Sequence, residues 1–190
     1  MTGPPSITLG RRAFPLTHTY VMGIVNVTPD SFSDGGLYAE TGQAIAHALR
    51  LVEDGADILD IGGESTRPRG RSYGEGATPV TVDEEIARII PVISALAEQT
   101  DVPISVDTYK SAVAAEALKA GATIVNDISG FRMDPALPEV IGRAGAAAVV
   151  MHMRGTPQTM QQDTHYDDLI GEVREALRVS VAAGNAAGIV

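Results

Sequence analysis

The sequence predicts an α/β fold built on a parallel sheet, and specifically a (β/α)8 barrel. Three observations carry this. First, one phrase recurs along the chain: Glu53-Asp-Gly-Ala-Asp-Ile-Leu-Asp60, Lys119-Ala-Gly-Ala-Thr-Ile-Val-Asn126 and Arg143-Ala-Gly-Ala-Ala-Ala-Val-Val150, with a looser copy at Ala186-Ala-Gly-Ile-Val190. Each places a glycine where a helix ends, a position that favours the left-handed conformation, and follows it with a strand-like apolar run. Second, helical periodicity precedes these glycines, so helix and strand alternate, as parallel sheets with right-handed crossovers require. Third, no Gly-x-Gly-x-x-Gly follows the first strand, which weakens the dinucleotide-binding version of the alternative, an open doubly wound sheet.

The elements follow in order. The apolar run Tyr20-Val-Met-Gly-Ile-Val25 opens a buried strand over 20–26, which releases the loop Asn26-Val-Thr-Pro-Asp-Ser-Phe-Ser-Asp-Gly-Gly36 at its carboxyl end. Positions 44, 45, 48, 49 and 52 fall on one helical face and lead into a strand at 57–62. Thr81 and Glu84 form a capping box ahead of Ile86-Ala-Arg-Ile-Ile90, in a helix that Pro91 is expected to kink or divide. Strands at 102–107, 122–128 and 146–152 come next. Asp134-Pro135 reads as an N-cap followed by proline at the first helical position. Leu169, Ile170, Val173 and Leu177 share a helical face, and a sixth strand begins at Ile189. A complete barrel needs about 250 residues. Residues 1–190 are therefore expected to form a single domain holding the first five to six β/α units, without strands seven and eight and most of strand six.

Composition bounds the function. A hydrophobic content of 44% describes a globular chain. No apolar run approaches the ~20 residues of a membrane helix, and no signal-peptide pattern opens the chain, so a cytoplasmic location is the expectation. The absence of cysteine excludes disulfides, thiolate metal sites and a cysteine nucleophile. A formal net charge of −10 argues against a nucleic-acid partner, whose phosphates call for clustered Lys and Arg.

Polar groups recur at the carboxyl ends of the strands, where barrels bind ligands. They are Asn26, then Asp60 with Gly62-Gly-Glu-Ser-Thr66-Arg-Pro68, then Asp107, Asn126 with Asp127, and Met151-His152-Met153-Arg154. Buried carboxylates and amides are costly unless hydrogen-bonded, so such a ring surrounds a polar ligand or forms its own network. Asp107 and Asn126 converge from neighbouring strands as a carboxylate–amide pair suited to the donors and acceptors of a heterocycle. Asp60, Asp127 and Glu64 read equally as ligand groups or as satisfied structural polar groups, whereas His152, as a lone histidine, reads more readily as structural than as a metal ligand or base. Arg67-Pro-Arg-Gly-Arg71 is a basic cluster with an anion as one candidate ligand and an exposed loop as the other reading.

Four motifs in order, Met22 to Gly36, Asp60-Ile-Gly-Gly-Glu-Ser-Thr-Arg-Pro68, Ser105-Val-Asp-Thr108 and Val125-Asn-Asp-Ile-Ser-Gly130, closely resemble dihydropteroate synthase. The resemblance runs from about residue 20 to the end. It implies condensation of 6-hydroxymethyl-7,8-dihydropterin pyrophosphate with p-aminobenzoate, giving 7,8-dihydropteroate and pyrophosphate, with Mg²⁺ assisting. Asp107 and Asn126 match the family's pterin-binding carboxylate and amide, Thr66 and Met151 match pterin-contacting positions, and Asp60 matches a supporting group. Asn26 matches the residue beside the metal and pyrophosphate. Phe32, Ser33, Asp34, Thr66, Arg67 and Pro68 match segments that close over the aminobenzoate. The family also implies a homodimer. Two departures stand out: a longer second loop with Arg69 where glycine is common, and the lack of the family's later Asp-Pro-Gly strand, its lysine and its Lys-x-Arg-x-His segment. These 190 residues alone are accordingly expected to be inactive. The alternatives are a non-catalytic pterin-binding homologue and a pterin-dependent methyltransferase domain, against which the Thr28–Gly36 loop speaks.

Overall fold

A computed structural model describes residues 5–9, 12–28, 36–65 and 79–189. Twelve elements follow one another: β1 (Ser6–Leu9), β2 (Arg12–Pro15), β3 (Met22–Asn26), α1 (Gly36–Glu53), β4 (Ile58–Gly62), α2 (Val82–Gln99), β5 (Ile104–Asp107), α3 (Ser111–Ala120), β6 (Ile124–Asp127), α4 (Leu137–Ala144), β7 (Ala147–Val150) and α5 (Leu169–Ala186). β3 to β7 form one parallel sheet whose spatial order is the chain order. A doubly wound sheet reverses its order at a switch point and carries helices on both faces, whereas a barrel does neither. The sheet is thus the first five β/α units of a (β/α)8 barrel.

Alternation along each strand divides the sheet into two faces. Val25, Leu59, Ile61, Val106 and Val125 are fully buried against Ala44 and Ala48 of α1, Ile89, Val92, Ile93 and Leu96 of α2, Val113 and Ala117 of α3, and Ile141 of α4. The opposite face lines the barrel interior. Its amino-terminal end is closed by a hairpin that no sequence signal announced, β1 pairing antiparallel with β2. Phe14, 1% exposed, packs from this hairpin on Ile58 and Ile124 at the starts of β4 and β6 and meets Tyr20 edge-on at 4.8 Å.

The Thr81–Glu84 capping box forms as expected. Gly121 and Gly145 end α3 and α4 in left-handed conformation, with φ of 119° and 64°. Four expectations are revised, the first only as to division of the helix. Pro91 lies inside α2 without dividing it. The lost backbone bond is outweighed by Ile89, Val92, Ile93 and Leu96, which fix both halves on the sheet. Asp134 does not cap α4, whose N-cap is Ala136; its carboxylate instead accepts from the Ser111 and Ala136 backbone N–H groups, tying the α4 approach to the start of α3. The Leu169–Leu177 face of α5 packs only in its second half, where Val173 and Leu177 are half-buried. Leu169 and Ile170 are 52% and 75% exposed, and α5 is anchored by Ser180 and Gly184 against Gly130 and Phe131. Ile189 follows a turn and is in no strand among the described residues.

Candidate active site

Hydrogen-bond register aligns three of the expected residues. Asn26, Gly62, Asp107, Asn126 and Val149 are successive partners across β3 to β7, one rung at the carboxyl end of the sheet. The rung beneath reads Ile24, Asp60, Ser105, Ile124 and Ala147. Both rungs belong to the inner face, since their residues alternate with those packed on the helices. Gly62 opens the space between its neighbours. A Cβ there would stand 3.5 Å from Asp107 Oδ2 and 3.7 Å from Asn26 Oδ1, so both oxygens border a cradle that any side chain would fill.

Asn126 is oriented by Asp60, its Nδ2 donating to Asp60 Oδ2 at 3.0 Å. A carboxylate only accepts, so this contact fixes the amide and leaves the Asn126 carbonyl oxygen and one N–H for a ligand. Asp60 is 4% exposed, and its Oδ1 has no partner among the described residues; nor has Ser105 Oγ at the neighbouring register position. The pocket floor thus holds unspent acceptor capacity, which is costly unless something bound uses it. Asp107 shows the electrostatic consequence. Burial, followed by the negative charges of Asp60, Glu85, Asp127 and Glu64, pushes its carboxyl up to about 7. A donor-rich or cationic ligand would relieve this.

The ambiguous residues separate. Asp127 points to the outer side: its carboxylate accepts from Ser129 N at 2.7 Å and Phe131 N at 2.6 Å, and it is fully buried. It shapes the turn after β6, where Phe131 takes a φ of 67°. His152 is hydrogen-bonded to the Tyr166 hydroxyl at 3.0 Å, and Arg154 stacks on the same ring at 3.7 Å, so His152 belongs to a clasp on the segment after β7. Met151 emerges past β7, 40% exposed, its N–H donating to the Asp127 carbonyl. Glu64, 6% exposed, binds Lys110 at 2.5 Å and accepts from the Tyr109 hydroxyl at 3.0 Å. Sequence reasoning passed over Gly62, Ser105, Glu85 and Lys110. Only Gly62, in a strand-end glycine pair, left a usable trace. Phe32, Ser33, Asp34, Thr66, Arg67 and Pro68, with Arg69 and Arg71, lie outside the described residues.

A partial (β/α)8 barrel with a carboxylate–amide rung at the end where such barrels take their ligands defines a class of small-molecule-binding proteins. Comparison with known proteins narrows it. The family model described as "Pterin binding enzyme" matches residues 22–190, and the chain belongs to that family. Dihydropteroate synthase of Synechocystis is 48% identical over 179 residues, an alignment covering 94% of this chain and 60% of the relative. A solved Yersinia pestis dihydropteroate synthase, bound to a sulfonamide drug, aligns with a TM-score of 0.86 at 42% identity, covering 98% of this chain and 65% of that one. The Xanthomonas albilineans enzyme in complex with 7,8-dihydropteroate aligns with a TM-score of 0.79 at 41% identity, covering 98% and 62%. The chain spans about three fifths of the length of these relatives.

Proposed function

We propose that the protein carrying this chain is a dihydropteroate synthase, joining 6-hydroxymethyl-7,8-dihydropterin pyrophosphate to p-aminobenzoate with release of pyrophosphate. The carrying observation is the Asn26–Gly62–Asp107–Asn126 rung with its Asp60-oriented amide, in a chain similar to the enzyme solved with 7,8-dihydropteroate. On this reading Asp107 and Asn126 hold the pterin ring by its donors and acceptors, over a floor made by Asp60. As the bond from the pterin methylene to the pyrophosphate oxygen breaks, positive charge spreads into the electron-rich ring. The fixed negative field of Asp107 and Asp60 stabilises that charge where it develops. The arylamine nitrogen then bonds to the methylene carbon and gives up a proton. It is already a nucleophile, so no serine or cysteine device is needed.

The expected Mg²⁺ fits what the rung offers. Asn26 Oδ1 is a hard neutral oxygen beside the Gly62 cradle, and no group of three His, Asp or Glu side chains among the described residues forms a cage. Mg²⁺ commonly takes one or two protein oxygens and draws the rest from phosphates and water. Asn26 would hold it, and when bound it would neutralise charge on the departing pyrophosphate. Met151 is assigned a flanking contact to the pterin. Thr66, Arg67 and Pro68, with Phe32, Ser33 and Asp34, are assigned to the aminobenzoate. A homodimer and a cytoplasmic location belong to the same reading; no described helix is long and apolar enough to cross a membrane.

The test is calorimetric titration with dihydropterin pyrophosphate, followed by pyrophosphate release on adding p-aminobenzoate. Asp107→Ala is expected to abolish pterin binding. Unchanged dihydropterin affinity in that variant would sink the assignment.

A further inference from the structure

Two buried polar atoms meet on the rung beneath Asp107, and the proposed chemistry gives one of their residues, Ser105, no part. Ser105 is 0% exposed, and its Oγ has no partner among the described residues; the same holds for Oδ1 of Asp60, which is 4% exposed. The third such atom, Thr123 Oγ1, lies just before β6, at the opposite end of the strands. Ser105 and Asp60 are register partners across β4 and β5. Neighbouring strands lie about 4.8 Å apart, a gap that a hydroxyl and a carboxylate reach across, and a serine turns among three staggered settings about a single bond. Of Asp60's two neighbours on its rung, Ile24 carries no side-chain donor and Ser105 carries one.

The position of that hydroxyl bears on the pocket. The Asn126 amide donates from β6 to Asp60 Oδ2 on β4 at 3.0 Å, so this bond crosses β5 on the inner face, between Ser105 on one rung and Asp107 on the next. An aspartate carboxylate turns on a broad, roughly two-fold torsion. Held through Oδ2 alone it can swing, and the amide swings with it. A donor reaching Oδ1 from the neighbouring strand stops the swing. A carboxylate offers about four acceptor sites, so Asn126 and Ser105 together still leave acceptor capacity for a ligand. Solvent does not reach Ser105 itself, so a bound ring feels it only through Asp60 and Asn126.

We infer that Ser105 is a positioning residue. Its hydroxyl donates to Asp60 Oδ1, fixes the carboxylate and so aims the Asn126 amide at the ring; the identity of that ring, a dihydropterin, rests on the proposed synthase reading. The test is Ser105→Ala in the whole protein, which removes the hydroxyl and adds no volume. Without ligand, hydrogen exchange at Asn126 Nδ2, followed by NMR, is expected to accelerate about tenfold, while the Thr108 backbone N–H, which donates to the Asn126 carbonyl at 3.1 Å, stays protected. In an Asp60→Ala background the serine substitution is expected to leave the amide exchange unchanged. With ligand, the Kd for dihydropterin pyrophosphate is expected to rise about tenfold, and the KM for p-aminobenzoate at saturating pterin to hold. Amide exchange that does not change, Asn126 and Thr108 exchange that rise together, or a further acceleration in the Asp60→Ala background would each overturn the inference. So would a Kd that does not change, or a Kd and KM that move in parallel. If the unmodified protein binds no dihydropterin, the synthase reading fails by itself. The amide exchange then decides the role of Ser105 alone, acceleration confined to Asn126 supporting it and any other pattern overturning it.

Discussion

Asp107→Asn should make the empty protein more stable while removing its pterin affinity. The folded carboxyl keeps its proton to about pH 7, whereas the unfolded one releases it near 3.8. Between those values the folded state binds more protons, so stability falls as pH rises through that window. A shift of about three units corresponds to ~4 kcal/mol at 1.36 kcal/mol per unit. Asp107 is only partly shielded from solvent, so water and local relaxation should reduce this to about 1–3 kcal/mol. Asparagine keeps the shape and cannot ionise. Urea denaturation of both proteins at pH 4 and pH 8 reads the effect: near-equal stabilities at pH 4, and Asp107→Asn ahead by about 1–3 kcal/mol at pH 8. A variant less stable than the parent at pH 8, or a difference that does not change with pH, would refute the reasoning. The cost would then lie in lost hydrogen bonds and not in a strained charge.

Two further outcomes concern the scaffold. Asp127→Ala orphans the buried N–H groups of Ser129 and Phe131, and should cost about 3 kcal/mol in urea denaturation; a loss under about 1 kcal/mol would show that the turn after β6 holds without its carboxylate. Gly121→Ala combines a φ of 119° with a Cβ placed 2.6 Å from the Ala97 Cβ, and should cost about 1–3 kcal/mol. Adding Ala97→Gly should recover the steric share but not the backbone share, and full recovery would mean the left-handed conformation costs little at this position.

The fold was legible where local chemistry and tertiary packing agree. The repeated glycines end α3 and α4 because the left-handed turn needs no side chain, and the capping box at Thr81 is a contact made within one turn. It was illegible where the deciding partner is remote in sequence. Ser6–Pro15 holds no strong strand pattern, and what fixes Phe14 is the apolar floor formed by Ile58 and Ile124. Asp134-Pro135 carries the sequence of a cap, yet the Ser111 N–H, more than twenty residues earlier, claims one carboxylate oxygen. The apolar stripe of α5 is exposed at its start, at Leu169 and Ile170, and it is Gly184 and Ser180, small residues with no apolar signal, that let the helix approach Phe131. Lys110 reads as an ordinary helix-start lysine until Glu64 and Glu85, from two other elements, close on it.

The same contrast decides between Asn126 and Asp127, which adjoin in sequence and are both polar at a strand end. Strand alternation sends them to opposite faces, and the register of β6 on β5 sets which is which. Asn126 pairs with Asp107 and faces Asp60 across the interior; Asp127 faces the helices and is consumed by two backbone N–H groups. Residue type alone would rank the carboxylate above the amide as a ligand group, but the Asp127 oxygens are already taken by backbone N–H groups. On the interior rungs the carboxylates are left underpaired, with Asp60 Oδ1 unspent and Asp107 raised to about 7. On the outer face every strand position is apolar or, at Asp127, saturated. Stability is concentrated on one face and reactivity on the other. An underpaired acid on the inner face is therefore better evidence for a ligand than the same acid anywhere else on these strands.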